Sequence, residues 1–268
     1  MGGMGALSTG VAALFLLSGC STPVTPAGDP ETATMSEQPE ASTASPLQGR
    51  SYPWHTQIVA TTFWVGEVFD PDASDGSQVI STYDSKWLEH YGGCDGIVVR
   101  DECTTEPRTA RNDYFPTEMT PLQNPFYLDL PFDDIHNEEA FAMRCDVVPW
   151  AQEEPDPMRC EDRGFSYMKN RWVEIVGPTG NVCYGQIQDA GPGVYDDVDY
   201  VFGESDARPV NDQFGGSGMD VSPALNGCLG FELVNGIQEG ISWRFVDRVD
   251  VPDGPWTRVE TSAPVHLD

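Results

Sequence analysis

Short runs of alternating apolar and polar residues recur along most of this chain, and they predict strands. Gln57–Trp64, Phe126–Leu130, Trp172–Val176, Val182–Gln188, Gly218–Val221 and Trp243–Val249 are rich in β-branched and aromatic residues, which fit a pleated, half-buried surface. Gly177-Pro178-Thr179-Gly180 is a turn signal between two of these runs, so residues 171–189 read as a hairpin. Helical spacing is rare. Asn137–Arg144 predicts one short helix. A clearer one opens at Ser222-Pro223, a capping Ser before a Pro at the first helical position, and runs to about Leu229. Long Gly- and Pro-rich loops occupy the rest, and ordered loops of that length commonly shape a binding surface. Trp residues are spread from Trp54 to Trp256 with no second linker between them, so residues 51–260 read as one domain and 261–268 as a tail.

The first fifty residues follow a different pattern. Val11–Ser18 is an apolar run too short to cross a bilayer and suits the core of a signal peptide. It leads into Leu17-Ser18-Gly19-Cys20, which resembles the lipobox of bacterial lipoproteins, where the Cys is lipidated. Residues 1–20 are therefore expected to be a lipoprotein signal with Cys20 as the lipidated residue, although no Lys or Arg precedes the run. Residues 21–50 are mostly Ser, Thr, Pro, Ala, Glu and Gly and read as a flexible tether. The expectation is an exported protein, lipid-anchored at the bacterial cell envelope (outer membrane or cell surface), that meets the membrane only through its anchor.

Removing Cys20 leaves six cysteines: Cys94, Cys103, Cys145, Cys160, Cys183 and Cys228. An even number in an exported domain implies disulfides. Six cysteines allow about 15 connectivities. The local pairs Cys94–Cys103 and Cys145–Cys160 are the natural choice, leaving Cys183–Cys228. Zinc is disfavoured, since no CxxC spacing occurs and the His are scattered. With 43 acidic and 14 basic residues, the net charge is -29. That excludes nucleic acid as a partner, because phosphate binding needs Lys and Arg.

Two phrases carry more information. Gln188-Asp189-Ala190-Gly191-Pro192 sets a carboxylate at a strand end before a tight turn, and Gly218-Met219-Asp220-Val221-Ser222-Pro223 sets one just before a capped helix. The order of parts over Trp172–Trp256 resembles the double-psi β-barrel of bacterial expansins, rare lipoprotein A and family 45 glycoside hydrolases. It runs from a strand through a Gly-Pro-x-Gly turn to Asp-x-x-Pro, then Asp-hydrophobic-Ser-Pro opening a helix, Leu229-Gly230 and Trp243-Arg-x-Val246. Upstream, Ala60–Trp64 resembles the first barrel strand and Leu128-Asp129-Leu130-Pro131 the next. The resemblance implies a mainly β fold: a six-stranded double-psi β-barrel with disulfides and long insertions at about 69–123 and 136–166. Those families act on β-1,4-linked glycans in a shallow groove. Carried over, Asp220 resembles the general acid, Asp189 a second essential Asp, and Thr61 or Thr62 the groove Thr. There are departures: Ala190 replaces an Arg, Tyr127 replaces a His, the groove Tyr falls at Gly191, and the nearest residue to the hydrolase base is a displaced Glu67.

Glycan cleavage needs a carboxylic acid with a raised pKa, and two crowded carboxylates supply one. Asp189 and Asp220 are expected side by side, with Asp129 and Glu67 as further candidates. The bland readings are that Asp220 satisfies backbone N–H groups of the turn and Asp189 caps its own Gly-Pro turn. Trp64, Tyr195 and Tyr200 are candidate sugar platforms, and Trp243 a weaker one. Asp133 and Asp134 read as solvated turn residues. Asp70–Gly76 and Asp196, Asp197 and Asp199 resemble calcium loops only loosely, so no metal or cofactor is expected. The expected protein is a monomer acting on polysaccharide, peptidoglycan or cellulose-like. It is either a glycoside hydrolase or lytic transglycosylase, or a non-catalytic expansin-like wall loosener.

Overall fold

A computed structural model describes residues 50–268 apart from 73–75 and 154. The signal, Cys20 and almost all of the tether lie outside the described residues. Among the described residues eight strands occur in order: β1 (His55–Thr62), β2 (Ile97–Val99), β3 (Glu102–Thr104), β4 (Tyr127–Leu130), β5 (Trp172–Val176), β6 (Val182–Ala190), β7 (Ser217–Val221) and β8 (Gln238–Val246). Six of them close a barrel in the order β1-β7-β4-β6-β5-β8. β1–β7 and β4–β6 pair parallel, and the other contacts are antiparallel. The β5–β6 hairpin turns at Gly177–Asn181 as its sequence predicts. β8 begins five residues before the predicted run. The barrel interior is filled by Ile58, Leu128, Ile175, Ile187, Met219 and Trp243, all at most 1% exposed.

Helices are α1 (Trp87–Tyr91), α2 (Glu138–Val147), α3 (Pro149–Glu153), α4 (Pro157–Glu161), α5 (Val198–Val201) and α6 (Pro223–Leu229). Asn137 and Ser222 cap α2 and α6 with their side chains, accepting from Ala140 N and Leu225 N. α6 lies so close over β6 that a Cβ on Gly185 would meet Leu225 Cδ1 at 2.9 Å, and Cys183–Cys228 fastens the two elements.

Both insertions are folded rather than loose. The first packs Trp87 and Tyr91 of α1 against Phe63, Val65 and Tyr127 and is pinned by Cys94–Cys103. Its buried Asp95 accepts from Tyr127 Oη at 2.8 Å and pairs with Arg108 at 2.8 Å. The second holds α2 to α4 through Cys145–Cys160. There the buried Arg144 donates to the carbonyls of Asp134, Asp162 and Phe165. Asp133 and Asp134 are therefore not solvated. Asp133 accepts from the backbone N–H of Ile135 and His136, and Asp134 from Ser166 Oγ and Tyr167 N–H.

Residues 261–268 pack against the domain. Thr261 exchanges hydrogen bonds with Gln186 and its hydroxyl accepts from Asn124 N–H, and His266 N–H donates to the carbonyl of Tyr83.

Candidate functional site

The ladder of four adjacent strands lines up the polar residues of the site. In β1 and β7, Thr61 stands opposite Asp220; in β7 and β4, Asp220 opposite Asp129; in β4 and β6, Asp129 opposite Asp189. The result is one row, Thr61–Asp220–Asp129–Asp189, across one end of the barrel. Asp189 and Asp220 were expected on neighbouring strands. Instead β4 runs between them and inserts a third carboxyl.

Each carboxyl is held differently. Asp220 accepts a hydrogen bond from the Thr61 hydroxyl, which lies 3.3 Å from Ser217 Oγ. Helix α6 takes its cap from Ser222 rather than from Asp220, and the Asp220 carboxyl is also supported by the Thr61 backbone N–H. The backbone N–H of Asp220 donates to Asp129 Oδ1 at 2.9 Å. Asp189 Oδ1 accepts from Thr82 N–H and from its own neighbour Ala190 N–H, both at 2.8 Å. Asp189 thus does cap its turn, and it also anchors the first insertion. Gly191 is explained by Asp129 beneath it, because a Cβ there would come 2.7 Å from Asp129 Oδ2.

Burial and mutual repulsion raise these acids. Asp129 is pushed well above the usual carboxylate range by burial, then by Asp220 and Asp189. Burial lifts Asp220 to about 6 against the Thr61 hydrogen bond, with Asp189 adding to the rise. Burial also lifts Asp189 to about 6, opposed by its bonds to Thr82. Glu67 rises to about 7 through burial, with the Asp220 charge adding to it. The displaced Glu67 is therefore part of the same site. It follows β1 in a turn closed by its own N–H donating to the Trp64 carbonyl at 2.9 Å.

All four acids, with Thr61 and Thr62, line one cleft of about 1040 Å³. The first insertion contributes Phe69, Gln78 and Thr82, and the second contributes His136, so the insertions form walls rather than a plug. Tyr195, 39% exposed, lies on the rim of this cleft. Phe69 and Phe214, which the sequence did not single out, are rim aromatics at 58% and 59% exposure.

Other candidates sit elsewhere. Trp64 is buried, with its indole N–H donating to the Cys103 carbonyl at 3.0 Å. Tyr200 is fully buried and accepts from Trp243 Nε1 at 2.7 Å. Trp64 and Tyr200 are core residues, not sugar platforms, and Trp243 is likewise core. Thr62 lines the cleft but is spent on structure, accepting from Asn226 Nδ2 at 2.8 Å. Asp197 caps α5. Among the described residues, no group of three or more His, Cys, Asp or Glu is arranged to hold a metal ion. A second cavity of about 580 Å³, lined by Trp150, Lys169 and Arg171 among others, contains none of the four acids.

In comparisons with protein-family models, curated proteins and solved structures, the chain matches none.

Proposed function

We propose that this chain is an exported, lipid-anchored double-psi β-barrel protein that cleaves β-1,4-linked glycan in the cleft above the Thr61–Asp220–Asp129–Asp189 row. The observation that carries the reading is the convergence of Glu67 and Asp220, raised to about 7 and about 6, in one cleft with an aromatic rim. Groups poised near neutral pH suit general acid–base work. The two parallel pairs β1–β7 and β4–β6 in a six-stranded barrel support the double-psi reading, and the three disulfides support export to an oxidising compartment.

In this reading Glu67, the more readily protonated of the two, gives its proton to the glycosidic oxygen as the C–O bond breaks. Asp220, kept ionised by the Thr61 hydroxyl, takes the proton from the water that attacks the anomeric carbon. This reverses the role that the resemblance gives Asp220. Asp129, buried and held well above the usual carboxylate range, positions Asp220 by accepting the backbone N–H of Asp220. In a lytic transglycosylase a hydroxyl of the sugar replaces the water.

The alternative is non-catalytic glycan binding or wall loosening by the same cleft. It draws on Asp189, whose carboxylate is engaged by two backbone N–H groups.

The test is product release from amorphous cellulose and from peptidoglycan, followed by mass spectrometry, for wild type, Glu67→Gln and Asp220→Asn. Soluble saccharides lost in both variants support cleavage, and anhydro ends identify a transglycosylase. An aryl glycoside with a good leaving group should rescue Glu67→Gln but not Asp220→Asn. Binding without products selects the alternative, and neither binding nor products ends the glycan reading.

A further inference from the structure

The second cavity, of about 580 Å³, has the size of a small-molecule pocket, for which about 300–1,000 Å³ is usual. Three of the chain's 14 basic residues line it, Arg159, Lys169 and Arg171, against two carboxylates, Glu153 and Asp247. In a chain with 43 acidic residues this is a local excess of one positive charge. Both carboxylates are already engaged. Glu153 pairs with Arg50 at 2.7 Å. Asp247 accepts from Arg50 N–H at 3.0 Å and Tyr52 Oη at 3.1 Å, and lies 3.6 Å from Arg171. The cations are served less well. Lys169 is 7% exposed, and its ammonium meets the Tyr83 carbonyl at a long 3.4 Å. Burial lowers it to about 8, against the opposing charges of Asp84 and Asp189. Burial also lowers Arg171, and its buried Nε has no hydrogen-bond partner among the described residues. A buried cation whose neighbours do not make good the lost water is stabilised by an anion that can reach it. The guanidinium planes are held in advance. Arg171 lies 3.8 Å from the ring centroid of Trp150, and Arg159 4.7 Å from that of Phe165. Stacking fixes the face of a guanidinium and leaves its edge for an oxyanion.

We propose that this cavity is a second binding site, taking a small organic acid whose carboxylate is held by Lys169 and Arg171 and whose apolar body lies against Trp150, Phe165 and Val265. The single excess charge favours a carboxylate over a dianionic phosphate, and the volume favours a ring-sized body over a bare ion. The cavity shares no lining residue with the cleft of the four acids, so the proposal is independent of the glycan reading.

The experiment is calorimetric titration of the wild-type protein at pH 7 with 3-phenylpropionate, its neutral amide, acetate and phenyl phosphate. Expected is binding of phenylpropionate roughly tenfold tighter than of the amide or acetate, and tighter than of phenyl phosphate. Lys169→Gln, which keeps a donor for the Tyr83 carbonyl, should abolish the preference for the acid over the amide. Ser262→Glu, at an exposed position in the cavity lining, should weaken binding of the acid several-fold and leave the amide unchanged. The chain has two lysines, so amine labelling read by mass spectrometry carries its own control. Phenylpropionate should slow reductive methylation of Lys169 several-fold and leave that of the exposed Lys86 unchanged. Equal binding of acid and amide overturns the proposal, because the charge is then not read. Acetate or phenyl phosphate binding as tightly as phenylpropionate overturns it too, the first by removing the body and the second by replacing the carboxylate. Binding of the acid that leaves Lys169 unprotected and is unchanged by Ser262→Glu places the ligand elsewhere and also overturns it, as does the absence of binding.

Discussion

Replacing Asp220 by Asn should make the protein more stable at neutral pH and, on the function proposed above, abolish glycan cleavage. Asp220 sits in a row with Asp129 and Asp189 and is lifted from 3.8 to about 6. A rise of that size disfavours the ionised form by about 3 kcal/mol. Because the native value lies above the unfolded one, the folded protein takes up a proton between about pH 4 and pH 6. The destabilisation is thus absent below about pH 4, grows as pH rises, and is complete above about pH 7. An Asn side chain still accepts from Thr61 but carries no charge. Allowing for the burial of its amide, the expected gain at pH 7.5 is roughly 2 kcal/mol. For a domain of this size that is roughly 4–8 °C in Tm. Urea unfolding of oxidised wild type and variant at pH 4.0 and pH 7.5 tests the argument. The variant should gain at pH 7.5 and differ little at pH 4.0. A variant no more stable at pH 7.5, or equally stabilised at both pH values, would refute the claim that burial, with the Asp189 charge adding to it, raises Asp220. The neighbours couple, so Asp129→Asn combined with Asp220→Asn should gain less than the sum of the two.

Three further outcomes follow from the structure. Gly191→Ala drives a Cβ to 2.7 Å from Asp129 Oδ2; it should cost about 1–2 kcal/mol in thermal unfolding, and Asp129→Ala in the same chain should relieve most of that cost. His55 is fully buried, its two ring nitrogens have no hydrogen-bond partner, and burial holds it down to about 4. The stabilisation this gives is complete above about pH 6.5 and is lost as pH falls through about 4, so His55→Phe should remove about 3 kcal/mol of acid sensitivity from a pH series of unfolding curves. Replacing Cys183 and Cys228 by Ser opens a loop with a sequence separation of 45, and denaturant unfolding should show a loss of about 4 kcal/mol.

The strands were legible because each is a short β-rich run bounded by turn residues, and α6 because Ser222-Pro223 is a cap and a first helical position in one phrase. Of the insertions, the sequence showed only the helix at Asn137–Arg144, which is α2. The buried positions of α2 are Ala140 and Arg144, so no apolar stripe tells how it packs, and its cohesion comes from the Arg144 guanidinium reaching carbonyls of distant residues. Aromatic residue type likewise says nothing about which way a ring faces. Trp64 and Tyr200 lie deep because Cys103 and Trp243 offer their polar atoms a partner, whereas Phe69 and Phe214 reach solvent. The site itself was half legible. Motifs at strand ends pointed to Asp189 and Asp220, but the order β7-β4-β6 is not sequential, so no local pattern announces that Asp129 stands between them. That placement is the informative one. A barrel selected for stability alone would place apolar or hydrogen-bonding residues at these three facing positions. Three carboxyls across adjacent strands, each raised by burial, oppose folding at neutral pH, and such opposition is the physical sign by which a site is told from a scaffold.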